Sequence, residues 1–375
     1  MRFADVAGER EIIASLVKMA DEGRVSHALL FSEEPGYGAL PIALAFVQYL
    51  ACKERGNGDS CGVCPTCSKI SKLVHPDLHF AVPVNSTKKI TSDKKPVTNH
   101  FIEQWRSAVT ANPYLFEEDW YETIGMEEKS GLISVNESAE ILRKLSLMSY
   151  EGGNKYMIIW LPERMNRECS NKLLKILEEP SPGTHFILVS QSSGQLLSTI
   201  ISRCQVIAVK PESPARLAEE LIKRYSVDRS EALYYAGISG GSFGSALKLI
   251  KGSESEELFF NMFASLLEGC LQKSLASAIK SSEEISALGR ERQKQFCEYS
   301  LGFIRKCYMM SLGSDSVAFV TEKERESIKR WSGRINQTFY SKAYNILNKA
   351  IEDLERNVNS KFVFSDLSNR FFISL

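Results

Sequence analysis

Five short, almost uninterrupted apolar runs recur through the first 210 residues: His27–Phe31 (HALLF), Leu78–Val82 (LHFAV), Tyr156–Leu161 (YMIIWL), His185–Ser190 (HFILVS) and Gln205–Val209 (QVIAV). Runs this short, with almost no polar alternation, fit strands covered by helices on both faces. Helical patterns lie between them: Leu40–Leu50; Ser134–Met148, opened by a capping box of Ser134 and Glu137; and Ser170–Leu177. Alternating strand and helix predicts an α/β fold with a parallel sheet. After Pro211 the strand signals stop, and the rest reads as helices with a turn at Gly237–Gly244 (GISGGSFG). The predicted division is a core over 1–210, a helical module over 211–252 and a helical segment over 253–375, whose apolar faces include ELFFNMFASLLEGCL and FCEYSLGFIRKCYMM.

The stretch 85–133 breaks the rhythm. A lysine-rich loop (STKKITSDKKPVTNH) leads into an aromatic-rich section, and together they read as a surface insertion with some helix. Lys88, Lys89, Lys94 and Lys95 could touch phosphates, but a solvated charged loop is the preferred reading.

Composition limits the function classes. With 375 residues, 43% hydrophobic and 25% charged, the chain has the make-up of a folded protein of two or three domains. Lys plus Arg equals Asp plus Glu at 46 each, so no global basic field draws it onto nucleic acid. No run approaches the roughly 18 apolar residues of a membrane span. The opening MRFADVAGEREIIASL carries early acids and does not read as a signal peptide, so a cytoplasmic location away from membranes is expected.

A reducing compartment disfavours disulfides, which leaves metal binding, catalysis or burial for the nine cysteines. Cys52, Cys61, Cys64 and Cys67 are separated by eight, two and two residues inside a polar loop, CKERGNGDSCGVCPTC. Four thiolates at such spacing can close around a structural tetrahedral Zn(II) ion, although an iron–sulfur cluster uses related Cys-x-x-Cys spacing. The other five, Cys169, Cys204, Cys270, Cys297 and Cys307, are scattered.

The loop after the first strand, FSEEPGYGALP, stands where a phosphate-binding loop would stand. With its second glycine aligned on Gly38, the first glycine of that template is Glu33, the phosphate lysine is Ala39 and the magnesium-holding hydroxyl is Leu40. Gly36 and Gly38 keep the turn, while Glu33 and Glu34 would repel a polyphosphate. The Asp-Glu pair that would serve magnesium and water falls on Trp160 and Leu161, and Glu163 reads as an exposed loop residue. The five histidines are dispersed, with His27 and His185 at strand starts reading as packed or hydrogen-bonded residues, and no G-x-S-x-G nucleophile motif occurs.

NKLLKILEEPSPGTHFILVS (Asn171–Ser190), LLSTIISRC (Leu196–Cys204), SHALLFS (Ser26–Ser32), HPDL (His75–Leu78) and the cysteine quartet together resemble the clamp-loader branch of the AAA+ proteins. The likeness is closest to the delta-prime family of the bacterial DNA polymerase III clamp loader, strong over about 1–210 and weak beyond. It implies a P-loop-type parallel five-stranded sheet with a zinc-binding insertion, an all-α lid and an all-α collar over 253–375 that drives oligomerisation. It also implies a hetero-pentamer with delta and three gamma/tau-type ATPase subunits, which loads the sliding clamp on primed DNA. Within Ser202-Arg203-Cys204, Arg203 would be an arginine finger acting in trans; an arginine capping a helix C-terminus before the fifth strand is the alternative. The lid arginine of the motor subunits is Gly244 here, in GSFGSAL. Three departures therefore speak for an accessory polymerase subunit without ATPase activity or a functional ATP/Mg site. An ATP-hydrolysing gamma/tau-type subunit and a stand-alone zinc-dependent DNA-binding protein are the rivals.

Overall fold

Alternating side chains along each central strand serve two different cores. In the computed structural model, which describes residues 1–87, 90–126, 130–150, 153–313, 320, 322–331 and 333–375, the strands are β1 (Ala28–Ser32), β2 (Leu78–Ala81), β3 (Lys155–Trp160), β4 (Thr184–Ser190) and β5 (Gln205–Ala208). They form one parallel sheet in the order β2-β3-β4-β1-β5. The central register places Ala28 opposite Phe186 and Trp160 opposite Val189. Leu29, Phe31, Ile158, Trp160, Ile187 and Val189 face one core; Ala28, Leu30, Met157, Ile159, Phe186 and Leu188 face the other. Period-two alternation thus fills both faces, as a helix-covered sheet requires.

The helices are α1 (Arg10–Asp21), α2 (Ala39–Ala51), α3 (Pro65–Ser71), α4 (Ile102–Ala111), α5 (Glu117–Thr123), α6 (Val135–Ser146), α7 (Arg167–Glu178), α8 (Ser198–Ile201), α9 (Pro214–Tyr225), α10 (Arg229–Ile238), α11 (Phe243–Leu271), α12 (Leu275–Ser286), α13 (Arg290–Ser311), α14 (Glu322–Trp331), α15 (Gln337–Glu355) and α16 (Ser360–Ser374). Two compact units result: Met1–Ser226 with Ser239–Ala246, and Val227–Ile238 with Leu247–Leu375. The first holds the sheet and α9. The second is all-helical, with α10 and the following helices around a core of Phe259, Phe263, Phe296, Phe303, Phe339, Phe364 and Phe371. Inside it Lys306 Nζ donates to Glu324 Oε1 and Oε2 at 3.0 and 3.2 Å, and Tyr299 OH donates to the same carboxylate at 3.0 Å. Among the described residues no helix is long and apolar enough to cross a membrane.

Three expectations need correction. The stretch 85–133 is not a surface insertion: Phe101, Trp105, Val109 and Trp120 lie in the sheet's main core. Trp105 packs at 5.2 Å between ring centroids against both Trp120 and Trp160. Its aromatic residues supply one side of the core over β3, which a local pattern cannot distinguish from an amphipathic surface helix. Second, β5 is not covered on both faces; among the described residues it pairs with β1 alone, and Gln205, Val206 and Ala208 are exposed. β-branched residues suit a pleated edge as well as a buried one. Third, Ser134 caps α6 by position only. Its hydroxyl makes no capping bond, Glu137 Oε2 instead accepts the Thr98 N–H at 2.6 Å, and the helix ends at Ser146.

Candidate functional site

The chain leaves β1 through Glu33 and turns at Gly36 (φ +83°) and Gly38 (φ +115°) into α2, so the N–H groups at the start of α2 point into the loop. In a phosphate loop those donors would hold an anion. Here the backbone N–H groups of Gly38 and Ala39 donate to Glu33 Oε2 at 2.7 and 2.8 Å. The chain's own carboxylate fills the cradle. Burial pushes the Glu33 carboxyl up to about 7, against the lowering effect of those two hydrogen bonds. Ala39 and Leu40, at the lysine and hydroxyl positions, are buried.

The loop is also closed from outside. The Gly244 N–H donates to Gly36 O at 2.9 Å, and the Ser242 hydroxyl donates to Pro35 O at 3.1 Å. A Cβ at Gly244 would stand 2.9 Å from Gly36 Cα, so this packing admits no arginine at that position. A Cβ at Gly36 would meet Ser242 Oγ at 2.6 Å and Phe116 Cζ at 2.8 Å, so glycine is needed on both sides of the contact.

At the Asp-Glu positions, Trp160 and Leu161 are buried in the same core as Trp105. Leu161 has φ +57° and redirects the chain so that Glu163 faces the end of β4. Glu163 is therefore not an exposed loop residue: it is partly buried, and its Oε1 accepts the Gln191 N–H at 2.9 Å. Burial raises its pKa. Glu33 and Gly244 thus both meet the Gly36–Ala39 turn, and Trp160 and Leu161 lie in the same core as Ala39 and Leu40.

The four cysteines converge. Cys52 ends α2 and Cys64 caps α3, and the four sulfur atoms lie within 4.8 Å of one another, close enough to hold a metal ion. The Cys61 N–H donates to Cys52 Sγ, Cys64 N–H to Cys61 Sγ and Cys67 N–H to Cys64 Sγ, each at 3.4 Å. Such donors favour thiolates: the Cys64 and Val63 N–H groups bring the Cys61 thiol down to about 7, whereas burial pushes the Cys64 and Cys67 thiols up. The same loop holds the N-terminus: Asp59 Oδ1 and Oδ2 accept the Phe3 and Ala4 N–H groups at 3.0 Å each. Arg224 of α9 donates to the carbonyls of Ala4, Asp5 and Val6 at 3.0, 2.8 and 2.8 Å.

Arg203 lies in the turn between α8 and β5. Its Nη1 donates to Thr199 O at 2.8 Å, the contact expected of a helix-capping arginine, and its Nη2 is paired with Glu178 at the end of α7. Ser202 Oγ donates to Thr199 O at 3.1 Å. Lys94 and Lys95 are exposed, whereas Lys88 and Lys89 lie outside the described residues. His27 Nε2 lies 3.0 Å from Leu177 O, and His185 stacks on Tyr156, so both are packing residues. HPDL is structural: Asp77 Oδ1 accepts the Tyr150 N–H at 2.8 Å and Oδ2 the Ser149 hydroxyl at 3.1 Å, fixing the chain ahead of β3. Sequence reasoning missed the place of Glu33 and the links made by Asp59 and Arg224. An acid beside an otherwise kept glycine turn was the available signal for the first.

The chain is 25% identical over 346 residues to DNA polymerase III subunit delta′ of Haemophilus influenzae, covering 92% of this chain and 89% of that one. It is 28% identical over 213 residues to the subunit of the same name from Bacillus subtilis, covering 57% and 51%. A solved Bacillus subtilis DNA clamp loader delta protein aligns with 96% of this chain and 99% of that chain, at 7% identity and a TM-score of 0.37. The family described as DNA polymerase III, delta subunit, matches residues 8–213, more than half of the sequence, and the chain belongs to that family.

Proposed function

We propose that this chain is a non-catalytic delta-prime-type subunit of a DNA polymerase III clamp loader. It acts in the cytoplasm, assembles with delta and gamma/tau-type ATPase subunits into a pentamer, and takes part in placing the sliding clamp on primed DNA. The observation that carries the reading is Glu33 Oε2 on the Gly38 and Ala39 N–H groups, because it occupies the donors that a nucleotide phosphate would need. A motor subunit would need an empty cradle with a lysine and an acidic pair, and Ala39, Trp160 and Leu161 stand in those places. On this reading the lid spans 211–252, the collar spans 253–375 and carries the main assembly surface, and Arg203 serves the ATP site of a neighbouring motor subunit.

Cys52, Cys61, Cys64 and Cys67 would hold one Zn(II) as thiolates. The ion would supply structural closure of the loop, with no ligand position left open for chemistry. Copurification with native partners and an ATPase assay on the isolated chain test the assembly reading: coelution with delta and gamma/tau subunits and no turnover are expected. ATP turnover that a further phosphate-loop substitution abolishes would overturn it. Elemental analysis of protein purified without chelator is expected to give one zinc per chain; iron or no metal would remove the zinc assignment.

A further inference from the structure

We propose that Glu178 is a positioning residue for Arg203. It holds the guanidinium on its own chain until the nucleotide of a neighbouring subunit supplies a stronger anion. This rests on the reading of Arg203 as a finger acting in trans. The pair joins the last residue of α7 to the turn between α8 and β5. Both terminal nitrogens of the guanidinium are engaged within the chain, Nη2 by Glu178 and Nη1 by the Thr199 carbonyl, while Nε is shielded from solvent without a partner among the described residues. The arginine is therefore aimed by its own unit.

The placement of the acid calls for an explanation, because a carboxylate on the last turn of a helix faces the negative end of the helix dipole. The guanidinium is the group that compensates it. Exposure sets the strength of the hold. The side chains are 32% and 48% exposed, for Arg203 and Glu178 respectively. An ion pair this accessible favours the held state by no more than about fivefold. A nucleotide phosphate carries more charge and meets the planar guanidinium with two oxygens, so it can displace one carboxylate. The exchange leaves Glu178 free in water, where it is well solvated.

The test uses reconstituted clamp loaders containing the wild-type chain, Glu178→Gln, Glu178→Asp, Arg203→Ala or Glu178→Gln with Arg203→Ala, assayed for clamp loading against ATP concentration. Glu178→Gln is expected to lower half-saturating ATP two- to fivefold, and Glu178→Asp, which keeps the charge, to restore most of the wild-type value. In the Arg203→Ala background the Glu178→Gln shift should vanish. A simple structural role would not make the shift depend on Arg203. If Arg203→Ala lowers loading but Glu178→Gln leaves half-saturation unchanged, or shifts it equally in both backgrounds, the positioning role is overturned and the finger stands. If Arg203→Ala changes nothing, the finger itself falls, and the positioning role with it.

Discussion

Glu33 is an acid in a phosphate's place, and its titration has a definite sign. Burial, opposed by two N–H donors, raises its pKa from the ordinary 4.5 to about 7, and burial beside Glu212 raises Glu9 to about 7 as well. Between about pH 4.5 and 7 the folded state therefore binds more protons than the unfolded chain. The stability linked to Glu33 is full below the lower value and is lost as pH rises through the upper one. Glu33→Gln keeps an oxygen for the Gly38 and Ala39 donors and removes the titration. Its melting temperature should fall less than wild type's between pH 4.5 and 7.5, with the remaining slope carried by groups such as Glu9. Parallel pH profiles for the two proteins would show that Glu33 is not the titrating plug. The sequence made the lost lysine legible, because a motif is a local pattern. It read Glu33 only as repulsive, since the return of its side chain onto the next turn's amides depends on φ at Gly36 and Gly38.

Among the elements, the four-thiol loop does more than close on itself. Through Asp59 it ties down residues 3 and 4, and through Arg224 the same N-terminal turn is bound to α9. The loop is thus one end of a strut that reaches a helix about 165 residues further along the chain. Asp59→Ala removes the charge-assisted hydrogen bonds from the Phe3 and Ala4 N–H groups, together with one from the Ser60 N–H, and should cost about 1–3 kcal/mol. Hydrogen exchange should speed up in residues 2–6 and α9 while metal content stays at the wild-type level. Unchanged exchange there would contradict the strut. The cysteine spacing was readable because ligands two residues apart must lie close together. The strut was not, because its partners are distant in sequence, and for the same reason the tryptophans of α4 and α5 looked like a surface insertion. Strand runs fared better: β1, β3 and β4 fall where the apolar runs lie, since central parallel strands leave little room for polar residues. At the edge that rule relaxes, and β5 is exposed.

At the scale of the whole molecule, the chain comprises a parallel-sheet unit and an all-helical unit, and the loop after β1 is filled by Glu33 and closed by Gly244. On the proposed reading the Ser202-Arg203-Cys204 element serves another subunit's nucleotide. Fingers of this kind are worth on the order of 10³ to 10⁵ in rate where measured. In a loader with several ATP sites, the loss of one is diluted. The most direct measurement is DNA-stimulated ATP hydrolysis and clamp loading by a complex reconstituted with wild-type partners and the Arg203→Ala chain. The expected result is intact assembly with lowered loading and hydrolysis; an intact complex with unchanged rates would contradict the account and leave Arg203 as a helix cap on Thr199.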